Sequence, residues 1–281
     1  MLNASVSLGR AGCDVSFISE IGDDDLGKTI LSFLYKNGVN VPFVHSFSEG
    51  KTPIALAFLD ENKNANYSFY KAYPKHRLQQ KFPQIQENDI VLFGSFFAVN
   101  PEVRSQVISF VRQAKNSGAI IIYDPNIRHP HNHNLKDVVN AVAENFSLAD
   151  IVRASNEDFE VLFNVDNPEE ATAILRESSE ASLIYTNSSR YVFTASANKY
   201  KFYSVPKIDV QSTIGAGDNF NAGLIFGLTK SGLNKNDLKT ADEATWSKLI
   251  NHGIRFSQEV CKSYENYISV GFAKTIEKPQ K

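Results

Sequence analysis

The sequence is short of cysteine, methionine and tryptophan, and it has no long hydrophobic run. Its 281 residues include 2 Cys, 1 Met and 1 Trp. Two cysteines cannot make a disulfide framework, so we expect a reducing, cytoplasmic compartment. No apolar run reaches the roughly 18 residues that a membrane span needs. The net charge is only −2, so neither a nucleic acid nor an anionic membrane is an expected partner.

Strand-like and helix-like segments alternate along most of the chain. The apolar runs VSFISEI, DIVLFGS, AIIIYDPN and DIVRASN each precede an amphipathic segment. Continuous apolar strands between helices indicate a parallel sheet that is covered on both faces. The sequence therefore predicts one α/β domain over residues 1–281, with helices at 24–37, 102–117, 135–147, 156–178, 216–230 and 242–262.

Two segments break this alternation. Residues 52–71, TPIALAFLDENKNANYSFYK, read as two strands around a polar turn, and residues 191–205 read as a second hairpin. Nothing in the composition marks the first hairpin off as a separate domain. We predict that it is a lid inserted at about 44–72, with aromatic side chains that can cover a pocket.

The segment GDDDLGKT, residues 22–29, fits the phosphate-loop pattern G-x-x-x-x-G-K-[ST]. Such a loop works because bare N–H groups surround the phosphates. Here three carboxylates fill the variable positions, and each would cost about 3 kcal/mol near a phosphate at an effective dielectric of about 20. Lys28 cannot offset three such terms. An Asp that caps the following helix is the better interpretation.

A second glycine-rich segment, STIGAGDNFNAG (212–223), is the stronger phosphate candidate. Gly215 and Gly217 let the backbone approach a ligand, and a helix begins there with free N–H groups. One acid, Asp218, lies in its first turn, where it could act as a base beside an anion hole. The residues alone fit a glycine turn with Asp218 capping its helix equally well.

At this point the chain resembles the PfkB, or ribokinase-like, family of carbohydrate kinases. TIGAGDNFNAGLIFGL resembles the C-terminal signature of that family, and NASVSLGRAGCDVSFISEIGDDDLG resembles the N-terminal one. The lid segment and DPNIR (124–128) are similar to the fructokinase branch. The resemblance implies an α/β fold, a ribokinase-like three-layer doubly wound sandwich with a mostly parallel sheet and a small β lid. It also implies transfer of the γ-phosphate of ATP, with Mg²⁺, to a sugar hydroxyl.

Carried over by position, the resemblance assigns roles to particular residues. Asp218 would be the base, and the anion hole would consist of Gly215, Ala216 and Gly217. The sugar would contact Asn3, Tyr70 on the lid and Arg128. The nucleotide would be bound by Asn156, Thr186 and Gln258. No protein ligand of the metal is assigned, and a homodimer through the lid is expected from the family.

The chain departs from the family pattern in four places. It begins at MLN, inside the G-G-x-x-x-N motif, so we expect Met1 to be an internal methionine and the first strand, a sugar-anchoring Asp and two glycines to lie upstream. Phe159 stands where N-x-x-E would place its Glu, and Glu157 or Asp158 could replace it. Ser212 replaces an Asp, which weakens any expectation of potassium activation. TNSSR (186–190) replaces T-x-G-x-x-G.

Fructose is the expected substrate because of DPNIR and the lid, with 2-keto-3-deoxygluconate and ribose as alternatives. A non-catalytic sugar or nucleotide binder is the alternative from a different class. His129, His131 and His133 alternate in a loop without accompanying carboxylates, so we do not expect a metal site there. Cys13 and Cys261 are predicted to be buried apolar residues.

Overall fold

The fold was analysed in a computed structural model that describes residues 1–59, 65–79, 81–127, 134–196 and 199–279. The strands are β1 Val15–Ser16, β2 Ser19–Gly22, β3 Val39–Asn40, β4 Val44–Phe47, β5 Lys51–Leu59, β6 Ala65–Ala72, β7 Ile90–Gly94, β8 Ile120–Asp124, β9 Ile151–Ser155, β10 Ser182–Asn187, β11 Tyr191–Ser196 and β12 Lys199–Ser204. The helices are α1 Leu2–Arg10, α2 Asp25–Lys36, α3 Ser95–Val99, α4 Arg104–Asn116, α5 Leu135–Leu148, α6 Asn156–Phe163, α7 Pro168–Arg176, α8 Ala216–Ser231, α9 Lys235–Thr240, α10 Glu243–Cys261 and α11 Val270–Thr275.

A six-stranded sheet in the order β12-β11-β10-β9-β8-β7 forms the centre of the molecule. The pairs from β7 to β10 are parallel, and β11 and β12 are added antiparallel. Successive residues of β8 point to opposite faces of the sheet. Ile121 and Tyr123 join one apolar cluster, and Ile120 and Ile122 join the other. The apolar run thus buries both faces, as predicted for a parallel sheet between two helical layers.

The two apolar clusters identify the two helical layers. Helices α4 to α7 contribute to the first cluster, for example through Val111, Phe146 and Phe159. Helices α1, α8 and α10 contribute to the second, for example through Leu8 and Phe226. Residues 219–228 of α8 are all buried, because α8 lies between the sheet and the helices α1 and α10. The predicted three-layer α/β sandwich is confirmed.

The run VSFISEI behaves differently from the other apolar runs. It divides into β1 and β2, which pair in parallel with β3 and β4 in separate two-stranded sheets. The expectation of one strand of the main sheet here was wrong. Glu20 in β2 is a buried acid that is bound by Arg77 and by the N–H of Leu78, so β2 lacks the continuous apolar pattern of a strand that is buried on both faces.

The lid is the antiparallel hairpin of β5 and β6, which pair only with each other among the described residues. The predicted lid began at about residue 44, but β4 pairs with β2 and so belongs to the body. Thr52 attaches the first strand of the lid to the start of α2. Arg77 follows the second strand, and its side chain, 3% exposed, stacks on Tyr73 and pairs with Glu20 and Glu102.

The GDDDLGKT segment caps a helix, as we predicted. Asp24 is the N-cap of α2, and its carboxylate accepts hydrogen bonds from the N–H of Gly27 at 2.8 Å and from the N–H of Thr52 at 2.9 Å. The carboxylate occupies the free amides that a phosphate would need. Lys28 is exposed and pairs with Asp25. The phosphate-loop interpretation therefore has no support in the structure.

Substitution of Asp24 should loosen the first strand of the lid. Hydrogen bonds from the hydroxyl and N–H of Thr52 and from the N–H of Gly27 lower the pKa of Asp24 to about 2. Its stabilising effect is therefore complete above the unfolded pKa of about 3.9 and is lost as the pH falls through about 2. In Asp24→Ala, the amide hydrogen of Thr52 should exchange faster than in the wild type at neutral pH.

Asp23→Ala is the matched control, because Asp23 is the exposed neighbouring acid. It should leave the exchange rate of the Thr52 amide unchanged. Equal exchange rates in Asp24→Ala and the wild type would contradict the role of Asp24 at the lid.

The structure also bears on the predictions for the two cysteines and the three alternating histidines. Cys13 and Cys261 are buried, and burial raises the pKa of the Cys13 thiol to about 11. Both are packing residues, as predicted. His129, His131 and His133 lie outside the described residues. In the described part of the chain, no helix is both long enough and apolar enough to span a bilayer.

Candidate active site

The predicted site residues cluster where parallel strands end, at the start of helix α8. Strands β8, β9 and β10 end at Asp124, Ser155 and Asn187. In open α/β sheets, ligands bind outside the carboxyl ends of the strands. Helix α8 begins at Ala216, and Arg153 of β9 lies against its first turn. This edge of the sheet is the candidate active site.

The glycine-rich turn before α8 is held by its neighbours. Gly215 has φ +82°, and a Cβ atom there would lie 2.8 Å from the carbonyl oxygen of Asn266. Asn219, which is fully buried, donates from Nδ2 to the carbonyl oxygens of Gly215 and Asn266 at 2.8 Å each. Asn219 Oδ1 accepts a hydrogen bond from the hydroxyl of Ser7. Only glycine fits this position, and the turn is anchored to α1 and to the segment after α10.

The free amides of the turn differ from those that the resemblance implied. The N–H of Ala216 is bound by the carbonyl oxygen of Thr213 at 3.1 Å. Within the described chain, the N–H groups of Gly217 and Asp218 have no partner. They point out of the first turn of a 16-residue helix, where the dipole favours an anion. Ala216 is therefore removed from the candidate anion hole, and Gly217 and Asp218 supply free amides beside Gly215, whose N–H also has no partner in the described chain.

Asp218 lies at the same helix end and contacts the start of α1. Its side chain is 12% exposed. Asn3 Nδ2 donates to Asp218 Oδ2 at 2.9 Å, and the α-amino group of Met1 donates to Oδ1 at 2.9 Å. The structure therefore brings together two of the residues that we predicted for the site, Asn3 and Asp218, from opposite ends of the sequence.

Below this turn lies a buried polar group that sequence reasoning had missed. Asp124 is 1% exposed, and Asn221 Nδ2 donates to its Oδ2 at 2.6 Å. Arg153 Nη1 lies 3.6 Å from the same oxygen. Burial raises the pKa of Asp124, and the nearby charges of Asp158 and Asp218 raise it further, while Arg153 and the Asn221 hydrogen bond lower it.

The buried acid at the start of α6 is Asp158, one position before Phe159, which occupies the Glu position of the N-x-x-E motif. Ser155 caps α6 and forms a capping box with Asp158, whose carboxylate also accepts from the N–H of Ile127. Asp158 is 2% exposed, whereas Glu157 is exposed. Phe159 packs against Phe163 and Tyr185 in the core, and for that reason its side chain is directed away from the site.

The residues predicted to bind the nucleotide, and the remaining residues predicted to bind the sugar, differ in burial and in hydrogen-bond partners. Thr186 is buried, and its Oγ1 accepts from Arg153 Nη2 at 2.7 Å. Asn156 is half-buried at the first position of α6. Gln258 lies on α10 and donates to the carbonyl oxygen of Pro206 at 2.6 Å. Tyr70 lies on the lid, 61% exposed. Arg128 lies outside the described residues.

The missed residues had a signal in the sequence. Arg153 interrupts the apolar strand IVRAS, and Asp124 ends the apolar strand IIIYD. A charged residue in a buried strand requires a partner, so these two opposite charges on neighbouring strands could have been paired. Asn219 and Asn221 had no comparable signal, because their partners come from the distant positions Ser7, Asn266 and Asp124.

Comparison with known proteins identifies the family of the chain. The model of the pfkB family carbohydrate kinases matches residues 1–264. Aminoimidazole riboside kinase of Salmonella typhimurium is 23% identical over 232 residues, which cover 82% of this chain and 72% of that protein. Fructokinase-1 of Oryza sativa is 24% identical over 254 residues, which cover 86% of this chain and 76% of that protein.

Solved structures show the same fold. Aminoimidazole riboside kinase from Salmonella enterica, complexed with aminoimidazole riboside and an ATP analog, superposes with a TM-score of 0.82 at 20% identity, covering 98% of this chain and 89% of that one. Fructokinase from Vibrio cholerae with fructose, ADP and calcium ion has a TM-score of 0.82 at 20% identity, covering 96% and 86%. The chain belongs to the pfkB family of carbohydrate kinases.

Proposed function

We propose that this chain transfers the terminal phosphate of ATP to a hydroxyl group of a monosaccharide, and that fructose is the substrate. The observation that carries the proposal is the first turn of α8. There the Asp218 carboxylate lies beside the unpartnered N–H groups of Gly217 and Asp218, and Asn3 donates a hydrogen bond to it. A base beside an anion hole is the arrangement that phosphoryl transfer to a hydroxyl needs.

The side chains and backbone amides of the site have different roles in the proposed reaction. Asp218 accepts the proton of the attacking sugar hydroxyl, and Asn3 orients the Asp218 carboxylate through Oδ2. The free amides of Gly217 and Asp218 stabilise negative charge on the transferring group. When bound, ATP supplies the phosphoryl group, and Mg²⁺ neutralises charge on its phosphates. Closure of the lid hairpin would exclude water from the site.

The donor set fits a magnesium ion that the nucleotide holds. Among the described residues, no group of three or more His, Cys, Asp or Glu side chains could bind a metal ion. Asp124 Oδ1 and Asn221 Oδ1 are buried acceptors without a partner in the described chain. Such acceptors suit the water molecules that Mg²⁺ usually retains. Magnesium would therefore be bound through phosphate and water, and no residue is assigned as its direct ligand.

The substrate is tested by the rate of ADP release in the presence of ATP and Mg²⁺. Fructose, aminoimidazole riboside, ribose and 2-keto-3-deoxygluconate should be compared with no sugar. Fructose is favoured by DPNIR and the lid, and aminoimidazole riboside is included because that kinase is a relative of similar identity. We expect the highest kcat/KM with fructose.

Two other results of the ADP-release assay would change the proposal. A higher kcat/KM with another sugar would replace fructose and leave the kinase proposal intact. Binding of sugar and nucleotide without any sugar-dependent ADP release would contradict the kinase proposal and favour a non-catalytic binder.

We also propose that two copies of the chain associate through their lids. One face of the hairpin carries Ile54, Leu56 and Phe58, and Tyr70 pairs with Ile54 on that face. These four side chains are 41–61% exposed, and an exposed apolar hairpin face is prone to association. Leu56→Glu with Phe58→Glu should shift the sedimentation coefficient from dimer to monomer.

Tyr35→Glu is the matched control, because Tyr35 is a 75% exposed aromatic residue on α2, away from the lid. It should leave the sedimentation coefficient unchanged. A wild-type chain that sediments as a monomer would contradict this proposal.

A further inference from the structure

Arg153 is a buried cation at the candidate active site. It lies in β9, in the apolar run IVRAS, and the residue is 8% exposed. An arginine is rarely buried to this extent unless its charge is used, because desolvation of a guanidinium group is costly. The contacts of Arg153 therefore indicate what it does.

The guanidinium group of Arg153 is incompletely paired. Nη2 donates to Thr186 Oγ1 at 2.7 Å, and Nη1 lies 3.6 Å from Asp124 Oδ2, beyond hydrogen-bonding distance. Nε is buried and has no partner in the described chain. Asp124 Oδ2 is already bound by Asn221. Neutralising Asp124 therefore uses only some of the hydrogen-bond donors of the Arg153 guanidinium group.

The Nη1 and Nη2 atoms of the guanidinium group lie against the candidate anion hole, and Nη1 makes no hydrogen bond to Asp124. A Cβ atom on Gly217 would be 2.8 Å from Arg153 Nη1 and 3.4 Å from Nη2. The absence of a side chain at Gly217 allows this approach. In the part of the chain that the structure describes, the N–H of Gly217 and that of Asp218 have no partner at the same turn. A fixed positive charge and two free amides thus lie within one turn of α8.

We propose that Arg153 is a phosphate-binding residue, whose guanidinium group supplies positive charge to the terminal phosphates of the nucleotide at the turn of Gly217. This inference rests on the proposed function, since it assumes that a nucleoside triphosphate binds there. Arginine suits the role because it is always charged and presents several donors. A purely structural arginine would neutralise Asp124 and affect all nucleotides equally.

The test compares binding of AMP, ADP and ATP by calorimetry, with Mg²⁺ present, so that turnover is not needed. A charge-assisted hydrogen bond is worth about 1.5–3 kcal/mol, or roughly 10- to 150-fold in affinity. Arg153→Met should weaken ATP binding by about that factor and leave AMP binding close to that of the wild type. Arg153→Lys, which keeps the charge, should retain part of the preference for ATP.

Loss of Arg153 leaves Asp124 buried without a cation, so Arg153→Met could fail to fold. The double variant Arg153→Met/Asp124→Asn removes both charges and should show the same selective loss of ATP affinity. Asp124→Asn alone measures the contribution of the Asp124 charge, so the loss of ATP affinity in the double variant must exceed the loss in Asp124→Asn. If both methionine variants are unfolded, the polar double variant Arg153→Gln/Asp124→Asn decides the question, since a full wild-type preference for ATP in that uncharged variant would overturn the proposal.

Two results overturn the inference without affecting the proposed function. They are an unchanged ATP affinity in folded Arg153→Met, and an equal loss of ATP and AMP affinity. If the wild-type chain bound no adenine nucleotide, the proposed function would fail, and this inference would fail with it.

Discussion

Asp218→Asn should lower the kcat of sugar phosphorylation by about 10²- to 10⁴-fold, the usual contribution of a general base. The variant keeps the size of the side chain and an oxygen that can accept the hydrogen bond from Asn3, which lies 2.9 Å from Oδ2 in the wild type. It loses the ability to take a proton at neutral pH. The KM for ATP should change little, because the free amides of the turn are backbone groups. Steady-state kinetics and thermal unfolding should be measured on the same preparation.

The matched control is Lys28→Ala, which removes the lysine of the rejected phosphate loop. Lys28 is 65% exposed, and its ion-pair partner among the described residues is the exposed Asp25. Its kcat should equal that of the wild type. Loss of turnover in Lys28→Ala, with turnover retained in Asp218→Asn, would move the phosphate site to residues 22–29 and contradict the assignment of the site to α8.

Arg77→Met should destabilise the protein by about 3–5 kcal/mol, the cost of leaving one partner of a buried ion pair uncompensated. Glu20 and Arg77 have side chains that are 1% and 3% exposed. Glu20 also accepts from the N–H of Leu78 at 2.8 Å. The guanidinium group of Arg77 stacks on Tyr73 with its Cζ 3.4 Å from the ring centroid. The free energy of unfolding should be measured by urea denaturation.

The double variant Arg77→Met/Glu20→Gln is the informative comparison. It removes both charges, while the amide oxygen of the substituted side chain could still accept from the N–H of Leu78. It should recover a large part of the lost stability, because no charge is left buried alone. If Arg77→Met cost less than about 1 kcal/mol, the value of an exposed pair, the buried pair would not hold the second strand of the lid.

The sequence predicted those elements that local patterns determine. The run Ile120–Asp124 is apolar at every position up to its last residue, so a strand buried on both faces follows from hydrophobicity alone. The turn before α8 was predicted because glycines and the start of a helix coincide at 215–217. The capping role of Asp24 followed from the cost of carboxylates near phosphate, and the structure shows that capping contact.

The sequence did not predict structural features that depend on the conformation of a turn or on contacts between residues distant along the chain. The burial of Glu20 could not be predicted locally, because its partner Arg77 is 57 positions away along the chain. The N–H of Ala216 was predicted to be free, and only the conformation of the turn brings it to Thr213. The different roles of Asp158 and Phe159 could not be predicted from sequence, because Phe159 packs against the distant Tyr185 while Asp158 forms the capping box with Ser155.

We propose that the base and the anion hole of α8 together transfer phosphate to a sugar. The most direct measurement uses ATP that is radiolabelled in its terminal phosphate, with fructose, Mg²⁺ and either the wild-type chain or Asp218→Asn. The account predicts labelled sugar phosphate from the wild type and almost none from the folded variant. Equal amounts of labelled sugar phosphate from both proteins would contradict it.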